Sequence, residues 1–226
     1  MSQSTRTHPP HEPGQSEYIT YEAFLKWADE DTLAEWVDGA VVITSPASLR
    51  HQLIGKFLLR VLSTFTEIHA LGQVTMAPFQ MKLKRSGREP DLLFVAKEHL
   101  GRLKKTYLDG PADLVVEIIS PQSQGRDRTD KFSEYSEAGI PEYWLIDPEA
   151  EQALFYQLDE AGQYQTILPD AIGIYHSRAI PGFWLRVDWL WKDPLPDTTD
   201  ALLEIDAEAY IHYLRERIQH RSEKTE

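Results

Sequence analysis

The sequence predicts a single α/β domain in which a mixed β-sheet is flanked by helices. Three observations favour this fold class. Residues 48–69 carry apolar side chains at helical spacing, and several shorter segments alternate between apolar and polar residues as strands do. Residues 113–120 (DLVVEIIS) form a nearly continuous apolar run, which is typical of a strand covered on both faces. We therefore expect this last segment at the centre of the sheet.

The composition fits one domain in a reducing compartment. The chain has 226 residues, of which 42% are hydrophobic, and this is enough for one core of ordinary size. The absence of cysteine excludes a disulfide framework, a cysteine nucleophile and thiolate metal sites. No stretch reaches the roughly 18 consecutive apolar residues of a membrane span, and the N-terminus lacks the apolar segment of a signal peptide. We expect a cytoplasmic protein without a membrane contact.

The net charge alone does not assign a function. Its value of -13, from 23 basic and 36 acidic residues, argues against a protein that coats nucleic acid through bulk positive charge. Enzymes that cut phosphodiesters often carry acidic clusters of their own, because carboxylates hold their metal ions. The local pattern of residues must therefore decide.

The N-terminal region is predicted to contain a tail, a short helix and a hairpin. Residues 1–17 are rich in Pro, Ser, Gln and His and are expected to form a flexible tail. Thr20 is a suitable N-cap for a short helix. Residues 33–44 form two apolar runs joined by Asp38-Gly39, a dipeptide that tolerates the positive φ angles of a tight hairpin.

A long helix and three strands are predicted next. Ser48 caps the helix, which ends before Gly72. The three strands cover residues 73–76, 79–84 and 91–96, with a turn at Ser86-Gly87 before the last of them.

A helix, two strands and a C-terminal helix follow the central strand. They are expected over residues 126–138, 143–147, 153–158 and 196–226. Gly139 ends the first of these helices, and Asp147-Pro148 separates the two strands. The C-terminal helix is amphipathic, so the folded domain is predicted over residues 18–195 with the helix appended to it.

Two carboxylates stand out because of their apolar surroundings. Asp91 opens an apolar strand directly after Pro90, and Glu117 lies inside the predicted central strand. By strand alternation, Glu117 shares one face with Val115 and Ile119. Burying a carboxylate there is costly unless a cation or a metal ion compensates the charge. A positive group must therefore lie close to Glu117.

The following helix offers that positive group in Lys131. This residue falls on one helical stripe with Arg128 and Tyr135. The alternative is structural: Glu117 and Lys131 form an ion pair, and Asp91 caps a strand. The individual residues leave both alternatives open.

Taken together, these residues resemble the PD-(D/E)xK nuclease superfamily. A Pro-Asp at a strand start is followed 26 positions later by a Glu in the next central strand, and a Lys is nearby. The closer resemblance is to a large bacterial family of restriction-endonuclease-like proteins, long labelled a domain of unknown function. Its characteristic segments occur in order over about residues 18–190: AEWVDGAVV, SLRHQLI, EPDLLFVA and LVVEIISPQSQGRDRTDKFSEYSEAGIPEYWLIDP. The resemblance implies a restriction-endonuclease-like mixed β-sheet flanked by helices.

The resemblance also implies a metal site and a catalytic lysine. Asp91 and Glu117 would bind Mg²⁺, or alternatively Mn²⁺, together with the backbone carbonyl of Ile119, and Lys131 would be the catalytic lysine. The superfamily pattern places its lysine two positions after the Glu, where this chain has Ile119. The chain instead matches the variant in which the lysine lies on the next helix. If Lys131 cannot reach the metal pocket, this assignment fails.

Three further residues are candidates for the same site. Glu35 matches an acidic position of the family and could complete the acidic cluster, the alternative being an exposed hairpin glutamate. Gln80 could bind water or phosphate near the metal, or be an exposed strand residue. His51 could approach the site from the long helix, or be a helix-face histidine bonded to a neighbour.

Basic residues before and after these positions could form the lip of a nucleic-acid groove, the alternative being ordinary solvated loop charge. They are Lys82, Lys84, Arg85, Arg88, Arg102, Lys104, Lys105, Arg126 and Arg128.

The resemblance implies a magnesium-dependent endonuclease acting on nucleic acid, with DNA favoured over RNA. Homodimerisation is expected because cutting two strands often calls for two active sites. The alternative is a nuclease fold kept as a nucleic-acid-binding or dimerising module without turnover. The chain lacks the motifs of zinc hydrolases, nucleotide hydrolases and serine hydrolases, which makes those classes unsuitable.

Overall fold

The structure is a computed structural model that describes residues 19–28, 34–43, 47–119 and 126–223. These residues form four helices: α1 (Tyr21–Trp27), α2 (Leu49–Ile68), α3 (Arg126–Glu137) and α4 (Thr198–Glu223). They also form thirteen strands: β1 (Ala34–Val37), β2 (Ala40–Ile43), β3 (Gly72–Met76), β4 (Gln80–Lys82), β5 (Ser86–Arg88), β6 (Leu92–Ala96), β7 (Tyr107–Asp109), β8 (Leu114–Ile118), β9 (Glu142–Asp147), β10 (Gln152–Leu158), β11 (Tyr164–Ile167), β12 (Ile174–His176) and β13 (Trp184–Arg186).

A six-stranded mixed sheet forms the centre of the fold. Its strand order is β11-β10-β9-β8-β6-β3. The β8 and β9 strands are parallel, and the other neighbours are antiparallel. A parallel pair needs a crossover connection, and α3 lies in the chain between these two strands. Every residue of β8 is buried, so the predicted central strand is confirmed.

A second sheet of five strands, in the order β2-β1-β5-β4-β7, packs over part of the first. The predicted turn at Ser86-Gly87 is wrong, because both residues lie in β5 between β1 and β4. Close packing explains the glycine. A Cβ added at Gly87 would lie 2.3 Å from Cε2 of Tyr21 and 2.4 Å from Oε1 of Gln80. Gly87 therefore allows α1 to approach the sheet, which is a known role of glycine within strands.

The two faces of the six-stranded sheet carry separate cores. One face packs on α2 and on the chain after β11, and its core includes Ile54, Leu58, Phe94, Val116, Trp144 and Phe183. The other face packs on the five-stranded sheet and α3, and its core includes Met81, Val95, Leu108, Val115, Ile119 and Tyr135. The predicted alternation along β8 is thus confirmed, and the face shared by Val115, Glu117 and Ile119 is the one covered by the second sheet and α3.

The predicted helix caps and hairpin turn of the N-terminal half are confirmed. The hydroxyl of Thr20 accepts the N–H of Ala23 at 3.1 Å, which caps α1. Ser48 caps α2 in the same way, by accepting the N–H of His51 at 3.2 Å. At the tip of the β1–β2 hairpin, Asp38 and Gly39 both have positive φ angles, 48° and 88°.

The structure describes the predicted C-terminal helix but not the predicted N-terminal tail. The predicted tail, residues 1–17, lies outside the described residues. The predicted helix over residues 196–226 corresponds to α4, but Asp206 interrupts it with non-helical angles (φ −156°, ψ 83°). The apolar stripe is therefore not continuous along one straight helix. Within the described parts of the chain, no helix is both long and apolar enough to span a membrane.

Candidate active site

The carboxylates of Asp91 and Glu117 meet across two adjacent strands. In the antiparallel β6–β8 pair, Leu92 lies opposite Val116. Continuing this register by one residue places Asp91 opposite Glu117. Asp91 Oδ2 accepts the backbone N–H of Ile118 at 2.7 Å, which ties the aspartate directly to β8. The two predicted carboxylates therefore lie on neighbouring strands of one sheet.

Lys131 reaches this pair from α3. Its Nζ lies 3.1 Å from Oε1 of Glu117 and 3.3 Å from Oε1 of Glu35. The condition set by the sequence, that the lysine on the next helix can reach the pocket, is met. The structure thus brings Asp91, Glu117 and Lys131 together, while their catalytic role stays a prediction.

Tyr135 lies one turn after Lys131 and is fully buried. Its hydroxyl donates to Oε1 of Glu117 at 2.7 Å. Lys131 and Tyr135 thus approach the same oxygen of the glutamate. Among the described residues, Oε2 of Glu117 receives no hydrogen bond, so this oxygen can bind a further ligand.

The surroundings of Glu117 favour its protonated form. Burial raises the pKa of the Glu117 carboxyl to about 7, and the charges of Asp91 and Glu35 add to this rise. Lys131 and Tyr135 lower the pKa but do not outweigh burial. A cation bound beside Glu117 would favour its ionised form.

Glu35 lies beside Lys131, and the alternative of an exposed hairpin glutamate is wrong. Only 2% of the residue is exposed, because β1 lies in the second sheet beneath α3. Its Oε1 accepts the N–H of Glu89 at 3.1 Å, and its Oε2 accepts Nη1 of Arg88 at 3.0 Å. Burial raises the pKa of Glu35, but Lys131 and Arg88 outweigh burial and hold the pKa below its usual value. Glu35 is thus held as an anion between two cations.

Arg88 links the second sheet to the lysine helix. Its side chain is 4% exposed, and its Nη2 lies 2.7 Å from Oε2 of Glu134, one residue before Tyr135 on α3. The hydroxyl of Ser86 also donates to Glu134. The charges of Glu35 and Glu134 raise the pKa of Arg88 despite its burial, so it stays a cation. The expectation that Arg88 lines an exposed groove is wrong.

Gln80 is buried rather than exposed, and its side chain bonds to Glu89, which in turn lies beside Glu35. Its Nε2 donates to the carbonyl of Ala34 at 3.2 Å and to Oε1 of Glu89 at 2.6 Å. Burial raises the pKa of Glu89 to about 7, and the nearby charge of Glu35 adds to this rise. Gln80 therefore fixes Glu89, which lies beside Glu35 two residues before Asp91.

His51 approaches the site from the first turn of α2. Its Nε2 lies 3.1 Å from Oδ1 of Asp91. Burial lowers the pKa of His51, but the hydrogen bond and charge of Asp91 outweigh burial and raise the pKa above its usual value. The partner of this helix-face histidine is thus a candidate metal ligand.

The donor atoms suit a hard divalent cation that keeps several water or substrate ligands. Asp91 and Glu117 contribute carboxylate oxygens, and Ile119, whose carbonyl is the third predicted ligand, directly follows β8 in the chain. Within the described residues, no three His, Cys, Asp or Glu side chains form a group that could hold a metal ion. Mg²⁺ is usually bound by one or two carboxylates with waters and phosphate oxygens completing its shell. The pair of carboxylates fits that mode of binding.

The described basic residues of the predicted groove lip are largely engaged by the protein. Arg85 forms an exposed ion pair with Asp38 at 2.8 Å. Lys82 Nζ lies 5.2 Å and 5.9 Å from the ring centres of Tyr21 and Tyr107. The structure does not describe the side chains of Arg126 and Arg128, so their part in a groove stays a prediction.

Sequence reasoning missed the hydrogen-bonding roles of Tyr135, Arg88 and Glu134. Tyr135 did fall on the predicted stripe of Lys131, and this spacing was the available signal. Arg88 and Glu134 carry no such signal, because they are 46 positions apart and meet only after the second sheet packs on α3.

Comparisons with known proteins give a family match and, separately, a solved structure with a similar fold. The model of the Uma2 family, described as "Putative restriction endonuclease", matches residues 21–188. A crystal structure from Anabaena variabilis, described as a "putative nuclease belonging to DUF820", aligns with a TM-score of 0.66 at 17% sequence identity. The alignment covers 76% of this chain and 97% of that one, and at this identity it shows the fold. The search of curated proteins gave no match.

Proposed function

This chain belongs to the Uma2 family, and from that premise we propose that it is a divalent-metal-dependent endonuclease that hydrolyses phosphodiester bonds in DNA. The family resemblance drawn from the sequence motifs is confirmed by the family match, and the restriction-endonuclease-like fold by the alignment with a structure described as a nuclease. Metal dependence, the DNA substrate and the residue roles belong to the proposal.

One observation carries the proposal. Lys131, on a helix, lies 3.1 Å from the carboxylate of Glu117, and Asp91 lies on the adjacent strand and is bonded to the backbone of Ile118. Two carboxylates and a lysine brought together at one end of the sheet support a PD-(D/E)xK site with its lysine moved to the next helix.

The proposed metal ligands are Asp91, Glu117 and the carbonyl of Ile119. When bound, Mg²⁺ or Mn²⁺ would polarise the scissile phosphate, lower the pKa of a water and stabilise the leaving oxygen. Asp91 and Glu117 would orient this cation, and both must be ionised to do so.

Lys131 is proposed to act on the reacting groups. Its ammonium group would orient the attacking water or offset negative charge that develops on the phosphate. Glu35 shares the ammonium group with Glu117, so it holds Lys131 at the edge of the pocket. Tyr135 would keep Glu117 in place through its hydrogen bond to Oε1. Together these contacts preorganise the site before the substrate binds.

The proposed substrate is DNA because the family is described as restriction endonucleases, enzymes that cut DNA. We also propose a homodimer, since cleavage of two strands is well served by two symmetric sites.

A cleavage assay on supercoiled plasmid and on single-stranded DNA tests the proposal. Wild type is compared with Asp91→Ala, Glu117→Gln and Lys131→Ala in Mg²⁺, in Mn²⁺ and in EDTA. We expect metal-dependent cleavage by the wild type and a loss of at least about 100-fold in each variant. Glu149→Gln, an exposed glutamate in the β9–β10 turn, serves as the matched control for contaminating nuclease.

Two results would contradict the proposal. Cleavage that persists in Lys131→Ala would mean that the lysine assignment is wrong. Failure of the wild type to cut either DNA substrate in either metal would favour the alternative of a binding or dimerising module without turnover.

A further inference from the structure

We infer that His51 is a positioning residue that orients the carboxylate of Asp91 for the divalent cation. This inference rests on the proposed function, because it assumes that Asp91 is a metal ligand. It assigns a task to a side chain on α2, an element that contributes no residue to the proposed metal shell.

The contact between His51 and Asp91 is short and sheltered. Nε2 of His51 lies 3.1 Å from Oδ1 of Asp91, and the two side chains are 10% and 23% exposed. Nε2 carries the proton in this arrangement, since the carboxylate oxygen accepts it. Within the described chain, the other ring nitrogen, Nδ1, is buried without a hydrogen-bond partner. Asp91 is therefore the side chain to which the ring is directed, and the backbone of Ile118 makes a further contact with the same ring.

His51 and the backbone N–H of Ile118 together hold the Asp91 carboxylate, one at each oxygen. The backbone N–H of Ile118 binds Oδ2 at 2.7 Å, while His51 binds Oδ1. Two donors on different oxygens fix both the position and the rotation of a carboxylate plane. Because Ile118 is next to Glu117 on β8, the hold also fixes Asp91 relative to the second proposed ligand. Each Asp91 oxygen keeps acceptor capacity for a cation.

The helix that carries His51 is itself firmly placed. Ser48 accepts the N–H of His51, so the residue lies in a capped first turn. A Cβ added at Gly55, one turn later, would lie 3.6 Å from Cδ1 of Ile118, so the α2 backbone runs close to β8. The neighbouring residues Ile54 and Leu58 are fully buried in the core. His51 thus meets Asp91 from a rigid element.

A second histidine on the same stretch provides a matched control. His69, the residue that ends α2, lies 3.3 Å from Asp206 on α4, far along the helix from Asp91. Its Nε2 lies close to an aspartate but makes no hydrogen bond within the described residues, and this aspartate has no place in the proposed metal shell. A general effect of losing a histidine–aspartate contact would appear at both positions, whereas a positioning effect would appear only at His51.

The test measures binding of Mn²⁺ itself by isothermal titration calorimetry, using full-length protein that has been freed of metal. His51→Gln places an amide N–H near the position of Nε2, whereas the shorter His51→Asn places its amide near Nδ1 and cannot reach Asp91. Loss of a group that orients a metal ligand typically weakens affinity by about 10–100-fold. We expect a loss of about 10-fold or more in His51→Asn, recovery of most of the affinity in His51→Gln, and wild-type affinity in His69→Asn.

The outcomes separate this inference from the proposed function. If the wild type binds Mn²⁺ and His51→Asn binds it equally well, the positioning role is overturned and the metal site stands. If His69→Asn loses affinity to the same degree, the effect is general and the inference is also overturned. If the wild type does not bind Mn²⁺, the metal-dependent function fails and the inference fails with it. Should His51→Asn not fold, His51→Met, which fills similar space without a donor, gives the same contrast with His51→Gln.

Discussion

Glu117 and Glu142 lie on neighbouring parallel strands of the six-stranded sheet, and both are withdrawn from solvent, with 9% and 0% exposure. Their partners differ. Glu142 accepts hydrogen bonds on both oxygens from five donors: Trp144 Nε1, Tyr175 OH, Ser177 Oγ, Arg178 N and Ala179 N. Glu117 accepts from Lys131 and Tyr135 on one oxygen.

The difference shows that burial of a carboxylate does not by itself mark a functional site. Glu142 is satisfied by the protein and ties the chain around residues 175–179 to the sheet, so its charge serves the fold. Glu117 keeps one oxygen without a hydrogen bond within the described residues, and its pKa is raised to about 7 by burial. A buried carboxylate whose charge is not fully compensated by donors of the protein is suited to bind an external ligand.

The largest expected effect is on stability, in Glu142→Gln. A side-chain amide can accept on only one of its two atoms, so in either orientation its NH₂ group would face buried N–H donors. The expected cost is about 3–4 kcal/mol in the free energy of unfolding. Urea unfolding followed by circular dichroism measures it, with the exposed Glu149→Gln as control. A cost below about 1 kcal/mol would show that the five hydrogen bonds do not anchor the fold.

The second prediction concerns the pH dependence of stability in Glu117→Gln without metal. The pKa of Glu117 rises from 4.5 to about 7 on folding. Between these values the folded protein holds a proton that the unfolded chain has lost, so wild-type stability falls as pH rises. Gln cannot ionise and escapes this loss. The variant should therefore be more stable than the wild type at pH 8, by about 3 kcal/mol, and the difference should shrink towards zero below pH 4.5.

Urea unfolding of both proteins at pH 4.5, 6 and 8 in EDTA measures this difference. A stability difference that stays the same at all three pH values would show that Glu117 does not titrate as described.

The smallest expected effect is that of Tyr135→Phe. The change removes one hydrogen bond and should cost about 1 kcal/mol of stability. Because the Tyr135 hydroxyl lowers the pKa of Glu117, its loss should raise that pKa further. The pH at which cleavage reaches half its maximum should then move upwards. Tyr164→Phe loses a comparable bond to the carbonyl of Ile140, and a shift of the same size in this control would refute the role of Tyr135.

The residues at the strand ends could be predicted because their signals are local. Asp91 follows a proline at the start of an apolar strand, and Glu117 interrupts the most apolar run, so strand alternation places its side chain on one face. The motif then predicts Lys131, which the structure places 3.1 Å from Glu117, while its catalytic role stays a prediction. The hairpin, the caps of α1 and α2, and the central position of β8 followed from equally local patterns.

The remaining contacts depend on how distant segments pack. Glu35 resembles an ordinary hairpin glutamate until the second sheet folds under α3, and its partner Arg88 lies 53 positions away. Glu142 carries no signal in the sequence, because four of its five donors come from residues 175–179, a region with short, irregular β-like runs. The Ser86-Gly87 dipeptide predicts a turn because glycine favours turns, whereas in the structure Gly87 makes room for Tyr21.

The most direct test of the contrast between the two glutamates is the unfolding temperature of three proteins at pH 8, each measured in EDTA and in Mn²⁺. A ligand that binds only the folded state raises this temperature. We predict that Mn²⁺ stabilises the wild type. Glu117→Gln should unfold at a higher temperature than the wild type in EDTA and should not respond to Mn²⁺. Glu142→Gln should unfold at a lower temperature but keep the Mn²⁺ response. A response to Mn²⁺ that survives in Glu117→Gln would contradict the assignment of this glutamate to the metal.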